Sequence, residues 1–157
     1  MDWKFRFLRE TNREMILPVT ISIAQERLKI AFNSTITTSK GFLYAKYEYN
    51  GRIDNNELDV EFTVKGKSIM YYGMHGKLFG HPKGSRLVMT VADKNANIFF
   101  IAPGLIVIFY IMGTGVFTSI FLAILFTLLS FGVINWHRNS AADALSELIY
   151  KIIYPQL

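Results

Sequence analysis

Residues 98–136 read IFFIAPGLIVIFYIMGTGVFTSIFLAILFTLLSFGVINW and contain no Asp, Glu, Lys or Arg. A straight helix crosses the hydrocarbon core of a bilayer with about 20 residues, so this run is too long for one span and suits two short spans. Gly113 and Gly115 tolerate the backbone dihedrals of a turn, so they mark a break between the two spans. We therefore predict a transmembrane helical hairpin with helices at about 98–112 and 116–136.

The first predicted helix is short, because residues 98–112 reach only about 22 Å as a helix. Pro103-Gly104 either kinks this helix or marks its true start. A re-entrant or tilted hairpin is the alternative that the sequence leaves open. Neither predicted span contains an ionisable side chain, which argues against a proton-coupled transporter or a voltage sensor.

The orientation of such a hairpin follows from the Lys and Arg residues near its ends. Lys83, Arg86 and Lys94 precede the first predicted helix, and Arg138 follows the second, whereas the turn has no cation. The positive-inside rule then places both termini in the cytoplasm. The sequence thus predicts an integral protein of the inner (plasma) membrane.

Small residues recur at four-residue spacing along the second predicted helix. They are Gly115, Ser119, Ala123 and Thr127. Residues four apart share one helix face, and small residues let helix backbones approach closely in lipid. We predict that this face packs on the first helix, and a homo-oligomer seam is the alternative.

Residues 1–97 are predicted to form a cytoplasmic, antiparallel, β-rich domain with one helix. Apolar residues alternate with polar ones over 58–64, which is typical of a half-buried strand. Ser22 and Gln25 have the spacing of a capping box, and Ala24 and Leu28 follow at helical spacing, so we predict a helix over about 23–32. A strand is the alternative, because Leu28, Ile30 and Phe32 also alternate.

Turn signals divide the rest of this domain into strands. Asn50-Gly51 is a strong hairpin-turn dipeptide, and Asp54-Asn55-Asn56 is a second turn signal. The strands that follow are separated by short loops, which implies antiparallel pairing.

Residues 137–157 are predicted to form a C-terminal amphipathic helix. Ser140 and Asp143 have capping-box spacing at its start. One apolar face follows, made of Leu145, Leu148, Ile149, Ile152 and Ile153. We expect this helix either to dock on the sheet or to lie in the membrane interface.

The formal net charge of +5 lies between residues 62 and 97, where six Lys and Arg residues stand against one Asp. The candidate ligand- or lipid-binding residues are Lys65, Lys67, Lys77, Lys83 and Arg86. Attraction to anionic lipid heads accounts for them. The alternative is a pocket for an anionic ligand such as a nucleotide, with Tyr71 or Tyr72 stacking on it. The cations are too sparse to predict nucleic-acid binding.

The sequence offers no catalytic motif. It has no Cys, and it lacks a phosphate loop, a nucleophile elbow and a His-Glu-x-x-His helix. His75 and His81 have no further ligand at metal-site spacing. We therefore predict no enzyme activity, no metal and no cofactor.

Three segments carry a resemblance to known proteins: 47–53 (YEYNGRI), 72–78 (YGMHGKL) and 84–91 (GSRLVMTV), which lead into the apolar run. This layout resembles small uncharacterised bacterial membrane proteins in which a β-rich domain is fused to two transmembrane helices. It is also similar in architecture to two-span β-barrel effectors of bacterial antiphage signalling, although their spans come first.

Two functional hypotheses follow from these features. The first is a non-enzymatic integral membrane protein whose cytoplasmic β-rich domain binds a partner or a lipid surface. The alternative, implied by the resemblance to the effectors, is a nucleotide-sensing protein that forms homo-oligomers and disrupts the bilayer.

Overall fold

The structure is a computed structural model that describes residues 10–40, 45–65, 69–94 and 116–155. Its elements are β1 (Glu10–Leu17), α1 (Ile21–Ala31), β2 (Ile36–Lys40), β3 (Ala45–Asp54), β4 (Glu57–Lys65), β5 (Ile69–His81), β6 (Gly84–Asp93) and α2 (Val116–Ile153).

The six strands form one sheet in the order β1-β6-β5-β4-β3-β2. Every neighbouring pair is antiparallel, as the short loops predicted. Strands β2 to β6 follow one another across the sheet, and α1 carries the chain from β1 at one edge to β2 at the other. Both helices contribute buried side chains to one core, and we call the sheet face that meets them the helix face and the opposite one the open face.

Strand β4 shows how the sequence separates the two faces. Leu58, Val60 and Phe62 are buried, whereas Asp59 and Glu61 are exposed. Successive side chains of a strand point to opposite faces, so this alternation fixes the register of the strand. The predicted half-buried strand over 58–64 is confirmed.

Aromatic side chains line the helix face beneath the two helices. Tyr49, Phe62 and Tyr72 lie directly opposite one another on β3, β4 and β5, and their ring centroids are 5.3 and 5.2 Å apart. Each such ring pair contributes about 0.5–1.5 kcal/mol beyond the apolar area that it buries. The row therefore ties three adjacent strands together at the centre of the core.

Helix α1 lies where the sequence predicts it, but its start is different. The N-cap residue is Thr20, and it makes no side-chain capping bond. The predicted capping box at Ser22 and Gln25 is therefore wrong. Gln25 instead donates to the carbonyl of Asn55 and to the side chain of Asn56, so it joins α1 to the turn between β3 and β4.

The predicted turn at Asn50-Gly51 is also wrong, because both residues lie inside β3. The predicted turn at Asp54-Asn55-Asn56 is confirmed: the chain turns at Asn55 and Asn56, and Asn55 has a φ of 51°. Gly51 is needed for packing instead: a Cβ there would lie 2.6 Å from ring carbons of Phe32. The absent side chain leaves room for the residue that follows α1.

Helix α2 runs without a break for 38 residues, about 57 Å at the rise of an α-helix. Its C-terminal part packs on the helix face through buried residues such as Leu145, Ile149 and Ile153. The docking of the C-terminal amphipathic helix on the sheet is thus observed. However, the helix does not begin at Ser140, so the predicted capping box there is wrong.

Within the part of the chain that the structure describes, no helix is both long enough and apolar enough to cross a membrane. The predicted two-span transmembrane hairpin is therefore wrong, and so are the inner-membrane localisation and the cytoplasmic orientation of its termini. The segment predicted to end at Trp136 continues into the docked part of α2. The other predicted span, 98–112, lies outside the described residues.

Both predicted functions assumed a transmembrane hairpin, so both are wrong in the form predicted. Neither the integral membrane module nor the bilayer-disrupting effector is supported, because the described residues contain no helix that could span a membrane. The fold of the described residues is α+β, with one six-stranded antiparallel sheet and two helices.

Candidate ligand groove on the open face

The open face of the sheet is built from rows of residues that lie directly opposite one another on neighbouring strands. In one row Glu10, Ala92, Gly73 and Glu61 follow across β1, β6, β5 and β4. The two central residues are small, and a carboxylate stands on each side of them. The register of four strands therefore creates a depression with acidic walls.

This depression is a groove of about 350 Å³. Gly73 and Ala92 form its floor. The side chains around it belong to Glu10, Asp59, Glu61, His75, Thr90 and Lys94. They include three carboxylates and one lysine ammonium, so the groove has an excess of negative charge.

Lys94 crosses the groove and is part of its floor. Its backbone N–H donates to the carbonyl of Tyr71 at 2.9 Å, which fixes the base of the side chain. A Cβ at Gly73 would lie 3.1 Å from Lys94 Cε, so the aliphatic stem passes over the glycine. The ammonium then pairs with the carboxylate of Glu61.

A His–carboxylate pair forms the next row of the groove. His75 Nδ1 lies 2.7 Å from Asp59 Oδ1, and the two residues are directly opposite on β5 and β4. Their side chains are 61% and 53% exposed, so water competes for both groups. On β6, opposite His75, the Oγ1 of Thr90 donates to Oδ1 of Asn12 on β1 at 2.8 Å.

The carboxylates and the histidine around the groove are not grouped as the ligands of a metal ion are. Among the residues that the structure describes, no group of three or more His, Cys, Asp or Glu side chains could hold a metal ion. His81 instead accepts a hydrogen bond at its Nδ1 from the backbone N–H of Lys83 at 3.2 Å, in the turn between β5 and β6.

Of the predicted basic residues, Lys65 and Lys77 lie on the open face, and each pairs with a carboxylate of a neighbouring strand. Lys65 pairs with Glu48 at 2.6 Å, and Lys77 pairs with Glu57 at 3.1 Å. Lys46 also pairs with Glu48, and hydrogen bonds from the two ammonium groups hold the pKa of that carboxyl below its usual range.

The remaining predicted cations lie farther along the sheet. Arg86 NH1 is 3.5 Å from Glu14 Oε1, and its guanidinium lies over the ring of Phe79. Lys83 is in the turn after β5, and Lys67 lies outside the described residues. The four described residues are therefore spread over the open face and the β5–β6 turn. The predicted anionic-ligand site stays a prediction.

A second polar cluster is buried where β1, β6 and α2 meet. Arg138 is only 4% exposed, and its Nε donates to Thr11 Oγ1 at 2.7 Å while NH2 donates to Asn135 Oδ1 at 2.6 Å. Burial lowers the pKa of Arg138, and the nearby carboxylate of Asp93 acts in the opposite direction. The cluster joins α2 to the sheet.

The part of α2 before this cluster is largely exposed. We call residues 121–136 the arm. Residues 116–137 contain no charged side chain, and several large apolar side chains of the arm are at least half exposed, including Phe121 and Leu128. Of the predicted helix-packing residues, Thr127 lies in the exposed arm, Ser119 and Ala123 lie on α2, and Gly115 is outside the described residues.

No protein-family model matches this chain, and no curated protein matches it. Among solved structures, the fold has a likeness to protein CV1439 from Chromobacterium violaceum, with a TM-score of 0.37 and 7% sequence identity. That likeness covers 54% of this chain and 79% of the other.

Sequence reasoning missed the groove. The alternation over 58–64 indicates only that Asp59 and Glu61 share the polar side of a strand, and the spacing of His75 tests only for a metal site. Alternation identifies the exposed side of each strand, but only the strand order brings Glu10 and Lys94 beside them. The small residues Gly73 and Ala92 were the signal that a depression could form there.

Proposed function

We propose that the protein is a non-enzymatic binding module that takes a small organic cation, an alkylammonium or guanidinium group, into the open-face groove. The observation that carries this proposal is the position of Lys94. Its own alkylammonium side chain lies along the groove floor and ends on Glu61, so the groove already accommodates this chemistry.

The charges around the groove support a cationic ligand. Asp59 and Glu61 carry two negative charges against the single ammonium of Lys94, while Glu10 also interacts with the charge of Arg138. A second cation therefore lowers the local charge imbalance. A carboxylate that accepts a charge-assisted hydrogen bond from an ammonium or guanidinium group gives a contact roughly twice as strong as a neutral one. An anionic ligand would meet repulsion at the same place.

Binding rather than catalysis fits the exposure of these groups. The only His–carboxylate pair around the groove, His75–Asp59, is more than half exposed. General acid–base and nucleophilic catalysis depend on a positioned group with a perturbed pKa in a cleft that excludes water. The groove is open to solvent along the sheet, so it holds charge without shielding a reaction.

The affinity of a minimal ligand is expected to be modest. Exposed ion pairs contribute about 0.2–1 kcal/mol each. Two or three such contacts give a probe with a single ammonium group a Kd of about 10 mM or weaker. Because the contacts are electrostatic, added salt should weaken binding further.

An NMR titration of the full chain with n-butylammonium chloride tests the proposal. Amide resonances of Gly73, His75 and Ala92 should shift, whereas neutral n-butanol and anionic butyrate should leave them unchanged. Glu61→Gln should abolish the saturable shift. Lys94→Met should strengthen binding severalfold, because the internal ammonium no longer competes.

Glu57→Gln is the matched control, because Glu57 lies on the same strand and face and pairs with Lys77 at 3.1 Å outside the groove. It should bind the probe like the unmodified protein. Equal shifts with butyrate, or equal loss of binding in Glu57→Gln and Glu61→Gln, would show that the groove is not a cation site.

A further inference from the structure

The neutral ring of His75 has its proton placed by Asp59. The Nδ1 of His75 lies 2.7 Å from Asp59 Oδ1, and an ionised carboxylate only accepts hydrogen bonds. Nδ1 therefore carries the ring proton and donates it to Asp59. The other nitrogen of a neutral imidazole then holds a lone pair, so Nε2 is an acceptor on the side of the ring away from Asp59.

This acceptor is open to a ligand. His75 lines the groove and its side chain is 61% exposed, and among the residues that the structure describes no hydrogen bond reaches its Nε2. Opposite His75, the hydroxyl proton of Thr90 is donated to Asn12 Oδ1, so the Thr90 oxygen has only lone pairs left. The row therefore offers acceptors, and no donors, to a molecule in the groove.

We propose that the Nε2 lone pair of His75 contacts the cation in the groove, and that a proton competes with the cation for this lone pair. The inference rests on the function proposed above and adds its regulation. An ammonium or guanidinium N–H donates to Nε2 only while the ring is neutral. A protonated ring donates at both nitrogens, so it offers no acceptor and repels the ligand. In this arrangement Asp59 is a positioning residue that acts through His75.

His75 is the group of the groove that titrates near neutral pH. Histidine ordinarily changes charge between about pH 5 and 8, whereas ordinary carboxyl, lysine and arginine groups stay charged over this range. Both helices pack on the other face of the sheet, so the charged groups around His75 come from strands. They are Glu57, Asp59 and Glu61 on β4, Lys77 on β5, Lys94 after β6, Glu10 on β1 and Arg52 on β3.

His81 provides an internal contrast on the same strand. Its Nδ1 accepts from the backbone N–H of Lys83 at 3.2 Å, so Nδ1 holds the lone pair and Nε2 the proton, the reverse of His75. It does not line the groove, because it lies about 20 Å farther along β5. Long-range proton–nitrogen NMR spectra at about pH 8, where both rings are neutral, should show opposite tautomers. Adding n-butylammonium should shift the Nε2 resonance of His75 alone.

Titrations with n-butylammonium at about pH 8 and about pH 5.5 test the competition. Ionic strength is held constant and the buffers contain no amine. The Kd should rise about three- to fivefold at the lower pH, the effect of losing one exposed contact. His75→Gln should lose this pH dependence. His81→Gln is the matched control and should keep it, and circular dichroism should show the same fold at both pH values.

Butyltrimethylammonium separates a contact at Nε2 from charge repulsion alone. It has the same charge as n-butylammonium but no N–H donor, so it should bind more weakly at the higher pH and respond less to acidification. If both cations respond equally to pH, His75 acts only through its charge and the competition for its lone pair is overturned.

Asp59→Asn tests the positioning role. The new amide nitrogen can donate to Nδ1, which moves the ring proton to Nε2. The ring of His75 should then show the tautomer of His81, and the Kd at the higher pH should rise about threefold or more. An unchanged tautomer would refute the role of Asp59.

The two proposals fail in different ways. Equal Kd values for n-butylammonium at the two pH values would overturn the competition at His75 and leave the groove a cation site. Absence of a saturable shift at the higher pH would remove the cation site itself and this inference with it.

Discussion

Replacing Gly51 by Ala should destabilise the protein, because the new Cβ would lie 2.6 Å from ring carbons of Phe32. Real Cβ atoms do not approach an aromatic ring so closely, so the ring or β3 must move. Inserting a methyl group into a packed core costs about 1–3 kcal/mol. Removing glycine's freedom in the unfolded chain offsets about 0.4–1 kcal/mol of this. The expected net loss is about 1–2 kcal/mol.

Gly80→Ala is the matched control, because it makes the same chemical change in strand β5 where a Cβ meets nothing within 4 Å. Its free energy of unfolding should be unchanged or rise slightly. Urea unfolding followed by circular dichroism at a helix wavelength measures both variants, and the slope with denaturant should stay constant if only stability changes.

A double-mutant cycle assigns the loss to the named contact. Phe32→Leu replaces the ring that the new Cβ of Gly51→Ala would meet with a smaller side chain. The double variant should therefore lose less unfolding free energy than the sum of the losses in the two single variants. A coupling of at least about 0.5 kcal/mol is expected for residues in contact. Equal stability of Gly51→Ala and Gly80→Ala would refute the explanation of Gly51 as a packing glycine.

Three further perturbations address the core. Arg138→Met should cost about 3–5 kcal/mol in urea unfolding, because it leaves the buried partners of the guanidinium unpaired, and an unchanged midpoint would contradict this role. Leu145→Ala should cost about 2–5 kcal/mol, whereas Tyr150→Ala on the exposed side of the same helix should cost much less. Burial raises the pKa of Tyr49 and Tyr72, so the folded state keeps protons that the unfolded chain loses. Stability should therefore fall above about pH 10, by up to about 1.4 kcal/mol per pH unit for each phenol, and Tyr72→Phe should reduce that slope.

Local patterns in the sequence predicted the elements that bury one face. The alternation over 58–64 identified β4, helical spacing around Ala24 and Leu28 identified α1, and the apolar face at Leu145 and Ile149 identified the docked part of α2. In each case the period of the apolar residues matches the geometry of the element. These predictions need no knowledge of which strands are neighbours.

Features that depend on distant pairing could not be predicted this way. The sequence predicts a turn at Gly51 because its packing role depends on Phe32, which follows α1 and is distant in the chain. The net charge between residues 62 and 97 suggested a basic site, but Lys65 and Lys77 face Glu48 and Glu57 on adjacent strands. Counting charges along the chain ignores partners that only the sheet order supplies.

The apolar run over residues 98–136 was the strongest signal in the sequence, but it did not decide what surrounds these residues. Its composition shows that residues such as Leu125 and Leu128 prefer an apolar neighbour, but it does not identify that neighbour. Bilayer, protein core and second copy impose the same composition. The error was to infer the surroundings of the run from its composition alone.

The unbroken path of α2 makes the arm and the domain turn together. A rotation of the arm about its own axis would carry Leu145 and Ile149 out of the core, because one backbone hydrogen-bond ladder joins them. The exposed apolar side chains of the arm therefore keep one fixed direction relative to the sheet. Anything that binds the arm would also fix the orientation of the open face and of its groove.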